Sequence, residues 1–228
     1  MKRDRQLLVR LSGHSGAGKS RLVSALQAHG IHFTKTVLYT SRPPRPNERP
    51  GVDYHFSTSE SIEELRAKGF VVGTVHRTLQ AVDVDELASH LALSDFVLIE
   101  ISDALWPHVY EKLISCRVKV PKLVAVFLTA VDPDQVNSLP RDKAAGLIRG
   151  RCENILRWRG TDSDALILDR CDAAVGEIFR ALDEPSPYDA VIYSAPEGPD
   201  GEDEWTREVQ PVGQAAKTLQ RFVKVIME

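Results

Sequence analysis

No stretch of this 228-residue chain holds the roughly 20 consecutive apolar residues needed to cross a bilayer, and its hydrophobic content is an ordinary 43%. A membrane-spanning helix is therefore not expected. Cysteine is scarce: Cys116, Cys152 and Cys171 are odd in number and form no C-x-x-C pair, which predicts reduced thiols rather than a disulfide framework or a zinc site. None of the seven histidines, His14 included, has metal-ligand spacing. An excess of one charge is also missing. With 29 Lys and Arg against 32 Asp and Glu, the net charge of −3 supplies no general basic field for nucleic acid, so any polyanion has to be gripped by a local cluster. The opening "MKRDRQLLVRLSG" is basic, but Arg10 interrupts its apolar part and no small-residue cleavage site follows, so it does not read as a signal peptide. The expectation is one soluble, cytoplasmic domain of ordinary globular composition.

What is present is an alternation of strand and helix patterns. Gln6 to Leu11 predicts a strand, and Leu22, Val23 and Leu26 then recur at helical spacing, with Gly30 as a stop. A second strand is expected over Thr36 to Tyr39. Ser57 and Glu60 have capping-box spacing ahead of a short helix. The apolar runs "DFVLIEIS" (95–102) and "KLVAVFLTA" (122–130) suit the centre of a parallel sheet covered on both faces. Asp132 followed by Pro133 reads as a helix start, residues 142–182 as helical with a turn at "RGTDS" (159–163), and "DAVIYS" (189–194) as a last strand. The acidic loop 197–204 is expected to be solvated. The tail puts Val212, Ala216, Leu219, Phe222, Val223 and Ile226 on one side of a closing helix. Together these elements argue for a three-layer α/β domain.

"GHSGAGKS" (13–20) satisfies G-x-x-x-x-G-K-S, with a predicted strand before it and a helix after it. Glycines at 13, 16 and 18 let backbone N–H groups converge on phosphate oxygens at a helix N-terminus. Lys19 can reach the β and γ phosphates, and the Ser20 hydroxyl can ligate Mg²⁺. The expected nucleotide-binding set is Gly13, Ser15, Gly16, Ala17, Gly18, Lys19, Ser20 and Arg21, with ATP and Mg²⁺ as cofactors. Such a loop serves switches, motors and kinases alike, so the reaction has to be read downstream.

Residues 40–56, "TSRPPRPNERPGVDYHF", set Arg42, Arg45 and Arg49 among four prolines. Planar guanidinium groups grip phosphate or carboxylate in pairs of hydrogen bonds, and proline lowers the entropy lost when such a segment closes on a ligand. Composition alone fits a solvated, stiffened surface loop as well. The two motifs together resemble the guanylate kinase family, whose P-loop G-x-S-G-x-G-K-S/T is followed by T-T-R-x-x-R-x-x-E and then G-x-D-Y-x-F. Arg42, Arg45, Glu48, Gly51, Asp53, Tyr54 and Phe56 are in register with that pattern. The likeness covers most of residues 6–194 and returns at "RWRGTDSDALILDR", similar to the family's lid.

The resemblance implies a P-loop NTPase fold with small acceptor-binding and lid subdomains. It divides the chain into a core (1–40 and 92–135), an acceptor-binding insertion (41–91), a lid region (138–170) and closing helices with a tail (171–228). It further implies that Arg42, Arg45 and Tyr54 hold an acceptor phosphate and that Arg159 and Arg170 reach the transferring phosphoryl group. Lys19, Arg42, Arg159 and Arg170 would then be the catalytic cations, and Glu100, at the end of an apolar strand, would join Ser20 at the metal.

The likeness fails where the family reads guanine. Val72, Leu79, Gln80, Ala81 and Ser102 stand at the positions of its polar base contacts, and Ser194 at a usual asparagine. His76, Arg77, Thr78, Gln80 and His90 are the polar residues nearby. The expected function is an ATP-dependent kinase acting on a phosphomonoester. GMP, dGMP or another nucleoside monophosphate is the first choice of acceptor, and a sugar phosphate the next. A non-catalytic protein-binding module and a nucleotide-gated ATPase are the alternatives.

Overall fold

A computed structural model describes residues 6–46, 48–194 and 211–228. β1 (Leu7–Gly13) lies at the centre of a five-stranded sheet of order β2-β7-β1-β8-β9. The other strands are β2 (Thr34–Thr36), β7 (Phe96–Glu100), β8 (Lys122–Thr129) and β9 (Ala190–Tyr193). β2 runs parallel to β7 and β8 parallel to β9, and β7 and β8 are the continuous apolar runs that suit strands covered on both faces. A second sheet, of order β4-β3-β6-β5, is built from β3 (Tyr39–Thr40), β4 (His55–Phe56), β5 (Val71–Val75) and β6 (Thr78–Val82). The chain divides into two compact units, Met1–Arg10 with Phe33–Leu123 and Leu11–His32 with Val124–Glu228, so β1 contributes residues to both.

In the first unit, α3 (Val84–Leu93) and α4 (Trp106–Ser115) bury Leu87, Leu91, Val109 and Leu113 against Leu8, Ile99 and Val82. α2 (Ser59–Ala67) covers the small sheet with Ile62, which packs on Val72 and Ala81. In the second unit, α6 (Arg141–Arg159) and α7 (Asp164–Leu182) form an antiparallel pair. Its core of Ile148, Cys152, Leu156, Cys171, Ala174 and Ile178 meets Phe127 of β8.

Three local expectations are corrected. The strand foreseen over Thr36 to Tyr39 is two strands in two sheets: the chain leaves β2 at Thr36, buries Leu38 in the core and enters β3 at Tyr39. The cap of α2 is Thr58, not Ser57, because the extended Thr58 places its Oγ1 to accept from the Ser61 N–H at 3.2 Å. The buried face of α8 (Gly213–Met227) is Ala215, Thr218, Leu219, Phe222 and Ile226. Val212 is exposed there, while Ala216 and Val223 are half-buried. The β5–β6 hairpin carries no glycine or asparagine turn signal, since its two-residue loop is His76-Arg77, with φ of 46° and 64°. Asp132 caps α5 (Pro133–Ser138) as its sequence predicts, through the Asp134 N–H at 3.0 Å. The acidic loop 197–204 lies outside the described residues. No described helix is long and apolar enough to cross a membrane.

The three thiols have different environments. Cys116 is exposed, whereas Cys152 and Cys171 are buried between α6 and α7, and burial pushes both pKa values up. A disulfide-exchange reagent at pH 8 is expected to label one thiol rapidly in the native protein and three in denaturant; rapid native labelling of all three would contradict this packing.

Candidate active site

The loop between β1 and α1 (Lys19–Ala28) turns through Gly13, Gly16 and Gly18, whose φ values are 150°, 85° and 82°. A Cβ on Gly13 would lie 2.3 Å from the Leu128 carbonyl oxygen, and one on Gly16 would lie 2.6 Å from Ile155 Cγ2. Both positions therefore demand glycine. Ser15 and Gly16 are half-buried, Ala17 is buried and Ser20 is exposed at the start of α1. Arg21 follows, half-buried in the first turn. Lys19 folds back on the loop, where its Nζ donates to the carbonyl oxygens of Gly13 at 2.5 Å and His14 at 3.1 Å.

His14, at a variable position of the motif, is fully buried. Its Nδ1 lies 2.8 Å from the Ser15 carbonyl oxygen, and its Nε2 accepts from the Ala130 N–H at 3.0 Å. These partners specify the neutral ring with its proton on Nδ1. Burial lowers the His14 pKa to about 4, with the nearby Lys19 charge working the same way and the Ser15 bond opposing. The imidazole thus pins the phosphate loop to the end of β8. Its place among the glycines offered no signal of this role.

At the lid, α6 ends at Gly160 with φ 66°, and α7 starts after Ser163. Between them Asp162 accepts from Arg159 Nη2 at 2.5 Å and from Arg170 Nη1 at 3.0 Å on the same Oδ2. Arg159 Nε also donates to Thr161 Oγ1 at 3.1 Å. The expected pair of lid arginines is therefore brought together, and the carboxylate that joins them was not anticipated. Arg170 is 4% exposed, which excludes a solvated helix charge at that position.

In the other unit, Arg42 forms a fork with Glu48, Nη1 to Oε2 and Nη2 to Oε1, both at 2.6 Å. The Arg42 guanidinium lies 5.0 Å from the Tyr54 ring centroid and 5.7 Å from that of Phe56. Glu48 also accepts from the Arg45 backbone N–H at 2.9 Å, with Arg45 Nη1 at 3.5 Å. Burial acts to raise the Glu48 pKa, but the Arg42 and Arg45 contacts outweigh it and hold the carboxylate below its usual range. Burial raises the Tyr54 pKa, so the phenol stays protonated and able to donate. Arg42 and Arg45 thus meet at Glu48, and the Tyr54 ring lies against Arg42.

Glu100 is paired with Lys35 of β2, Nζ to Oε1 at 2.8 Å. Burial opposes the Lys35 charge, yet Glu100 prevails and the Lys35 pKa is raised. Among the described residues no group of three or more His, Cys, Asp or Glu side chains gathers as a metal site. The exposed Ser20 hydroxyl is a hard oxygen of the kind that magnesium takes alongside nucleotide phosphates, whereas the Glu100 carboxylate, the other expected donor, is engaged by Lys35.

The sequence and the fold both resemble known proteins. The guanylate kinase family model matches residues 4–77. The guanylate kinase of Anaeromyxobacter dehalogenans is 35% identical over 193 residues, 82% of this chain and 72% of that one. The chain belongs to the guanylate kinase family. A guanylate kinase of Streptococcus pyogenes is 33% identical over 201 residues, 84% of this chain and 82% of its own length. The crystal structure of guanylate kinase from Anaplasma phagocytophilum matches with a TM-score of 0.57 at 16% identity, over 100% of this chain and 87% of that one, a likeness of fold.

Within that family frame, the positions that depart from its base contacts do not share one face. Tyr39, Ala81 and Val72 are ladder partners in turn, and with Leu79 they pack beneath α2, whereas Gln80 points to the opposite face. Ser102, two residues beyond the end of β7, has a buried hydroxyl with no partner among the described residues. Of the other polar residues nearby, His76 and Arg77 form the hairpin turn. Thr78 Oγ1 donates to the Val75 carbonyl at 2.9 Å, and His90 Nδ1 lies 3.1 Å from Thr36 Oγ1. Ser194 is buried, its backbone N–H donating to the Thr129 carbonyl at 2.7 Å.

Two measurements check this geometry. A His14 pKa below its unfolded value contributes stability that is present above about pH 6.5 and lost as pH falls toward 4, roughly 3 kcal/mol in all. Urea unfolding should therefore show the advantage of the wild type over His14→Gln shrinking across that window, and a constant difference would contradict the buried neutral imidazole. Asp162→Asn, which removes the buried charge that Arg159 and Arg170 share, is expected to lower unfolding free energy by about 3 kcal/mol.

Proposed function

We propose that this chain transfers the γ-phosphoryl group of ATP to a nucleoside monophosphate, with GMP or dGMP as the first acceptors to consider. Family membership makes it an enzyme of the nucleoside monophosphate kinase type. The observation that carries the reading is the fork of Arg42 on Glu48 over Tyr54 and Phe56, in a chain that also keeps an intact phosphate loop. A simple ATPase has no use for this second anion clamp. A protein-binding module has no need of Lys19 and Ser20 in a fully glycine-lined loop.

In this proposal the acceptor phosphate takes the guanidinium donors of Arg42 and Arg45, with the protonated Tyr54 hydroxyl as a further donor. Lys19 leaves the Gly13 and His14 carbonyls for the β and γ phosphates, and loop N–H groups hold the remaining oxygens. An acceptor phosphate oxygen attacks the γ-phosphorus in line. The bond from that phosphorus to the β–γ bridging oxygen breaks, and ADP leaves with the bond's electron pair. Arg159 and Arg170, preassembled on Asp162, are the cations for the charge spread over the transferring group. Mg²⁺, when bound, would be held by the Ser20 hydroxyl at the phosphate loop and would neutralise the phosphate oxygens.

The test is ADP release with a panel of GMP, dGMP, AMP, CMP, UMP and ribose 5-phosphate. Acceptor-dependent ADP formation that Lys19→Met abolishes is the expected result, and the same background with every acceptor would overturn the proposal. Arg42→Met should lower kcat/KM for the acceptor by about 100-fold or more while leaving ATP binding within about twofold.

A further inference from the structure

One row of residues crosses all four strands of the small sheet on a single face: Phe56 of β4, Thr40 of β3, Gln80 of β6 and Gly73 of β5, each the ladder partner of the next. The neighbouring row, Tyr39, Ala81 and Val72, points the other way into the α2 core. The two ends of the first row are marked. The Arg42 guanidinium lies 5.7 Å from the Phe56 ring at one end. At the other, Leu105 Cδ2 comes to 2.7 Å from where a Gly73 Cβ would be, so the bare glycine backbone is closed over by a leucine. Between them stand Thr40 and Gln80.

Thr40 is fully buried, and its Oγ1 has no hydrogen-bond partner among the described residues. Burying a hydroxyl without a partner is costly, and valine would fill the same volume without that cost. Thr40 lies two residues before Arg42, and Gln80, half-buried, is directly across the ladder. Strands are spaced about 4.8 Å apart, so Gln80 is about 10 Å along the row from Phe56, within the length of a phosphorylated nucleoside or sugar. The row holds no carboxylate. A hydroxyl and a carboxamide each donate and accept, which suits neutral partners.

We propose that Thr40 and Gln80 are specificity-determining residues of the acceptor site, reading a neutral hydroxyl, carbonyl or amide group on the body of the phosphomonoester held by Arg42 and Arg45. The inference rests on the kinase reading above and extends it to the part of the acceptor that the phosphate clamp does not touch. It also accounts for a polar pair at a position where a β-sheet core would take apolar residues.

The test compares wild type, Thr40→Val, Thr40→Ser, Gln80→Leu and Gln80→Glu by steady-state kinetics with GMP, AMP, CMP, UMP and ribose 5-phosphate, alongside thermal unfolding of the free protein. Thr40→Val and Gln80→Leu are expected to raise KM for the preferred acceptor about tenfold, with kcat and the KM for ATP within about twofold. Gln80→Glu should reorder the acceptors, and Thr40→Ser should retain wild-type KM. Thr40→Val should hold or raise Tm while weakening the acceptor, whereas a merely structural threonine would lower Tm and leave KM in place. Unchanged acceptor KM and order in Thr40→Val and Gln80→Leu would overturn the inference with the kinase reading intact. Absence of acceptor-dependent turnover in the wild type would overturn both. If Thr40→Val does not fold, the half-buried Gln80→Leu decides the question alone.

Discussion

Guanidinium groups set side by side repel one another, and in each of the two units a shared carboxylate answers that repulsion. Each of these cations, and Lys19, has an oxygen partner within its own unit. Arg42 rests on Glu48, Arg159 and Arg170 share one oxygen of Asp162, and Lys19 donates to two carbonyls of its own loop. A carboxylate between two guanidinium groups offsets their repulsion and fixes their planes, so less side-chain entropy remains to be lost when a phosphate arrives. Glu48 and Asp162 thereby orient the guanidinium groups that they join.

The scaffold meets this demand by different means in its two units. In the unit that holds the P-loop, rigidity comes from close approach: glycines whose Cβ atoms would strike Leu128 and Ile155, and a buried imidazole that ties the loop to the Ala130 N–H. In the unit that holds the arginine segment, proline limits the chain and aromatic rings support the guanidinium from below. The small sheet beneath is thin, with α2 covering one face through Ile62, Val72 and Ala81. Its other face carries the polar residues that no core contact explains.

Much of the site was legible in the chain because its chemistry is local. A run of eight residues contains the phosphate loop, and seventeen contain the arginine segment with its glutamate and tyrosine. Long apolar runs likewise announced β7 and β8. The hairpin β5–β6 was silent because its turn uses His76 and Arg77 at positive φ in place of the usual glycine or asparagine. Its pleat mattered most, since a shift of one residue exchanges the two faces of a strand. Only the ladder register separates Gln80 from its neighbours Leu79 and Ala81.

The sequence by itself determined the phosphate chemistry, since glycines, a lysine and arginines at fixed short spacings can act only on what their neighbours in the chain present. Tertiary structure alone decided the partners drawn from distant strands. His14 meets Ala130, Lys35 meets Glu100, and Thr40 lies beside Gln80. Such pairings depend on which strands lie side by side and which way each residue of the pleat points, and neither is written in the identity of the residues that meet.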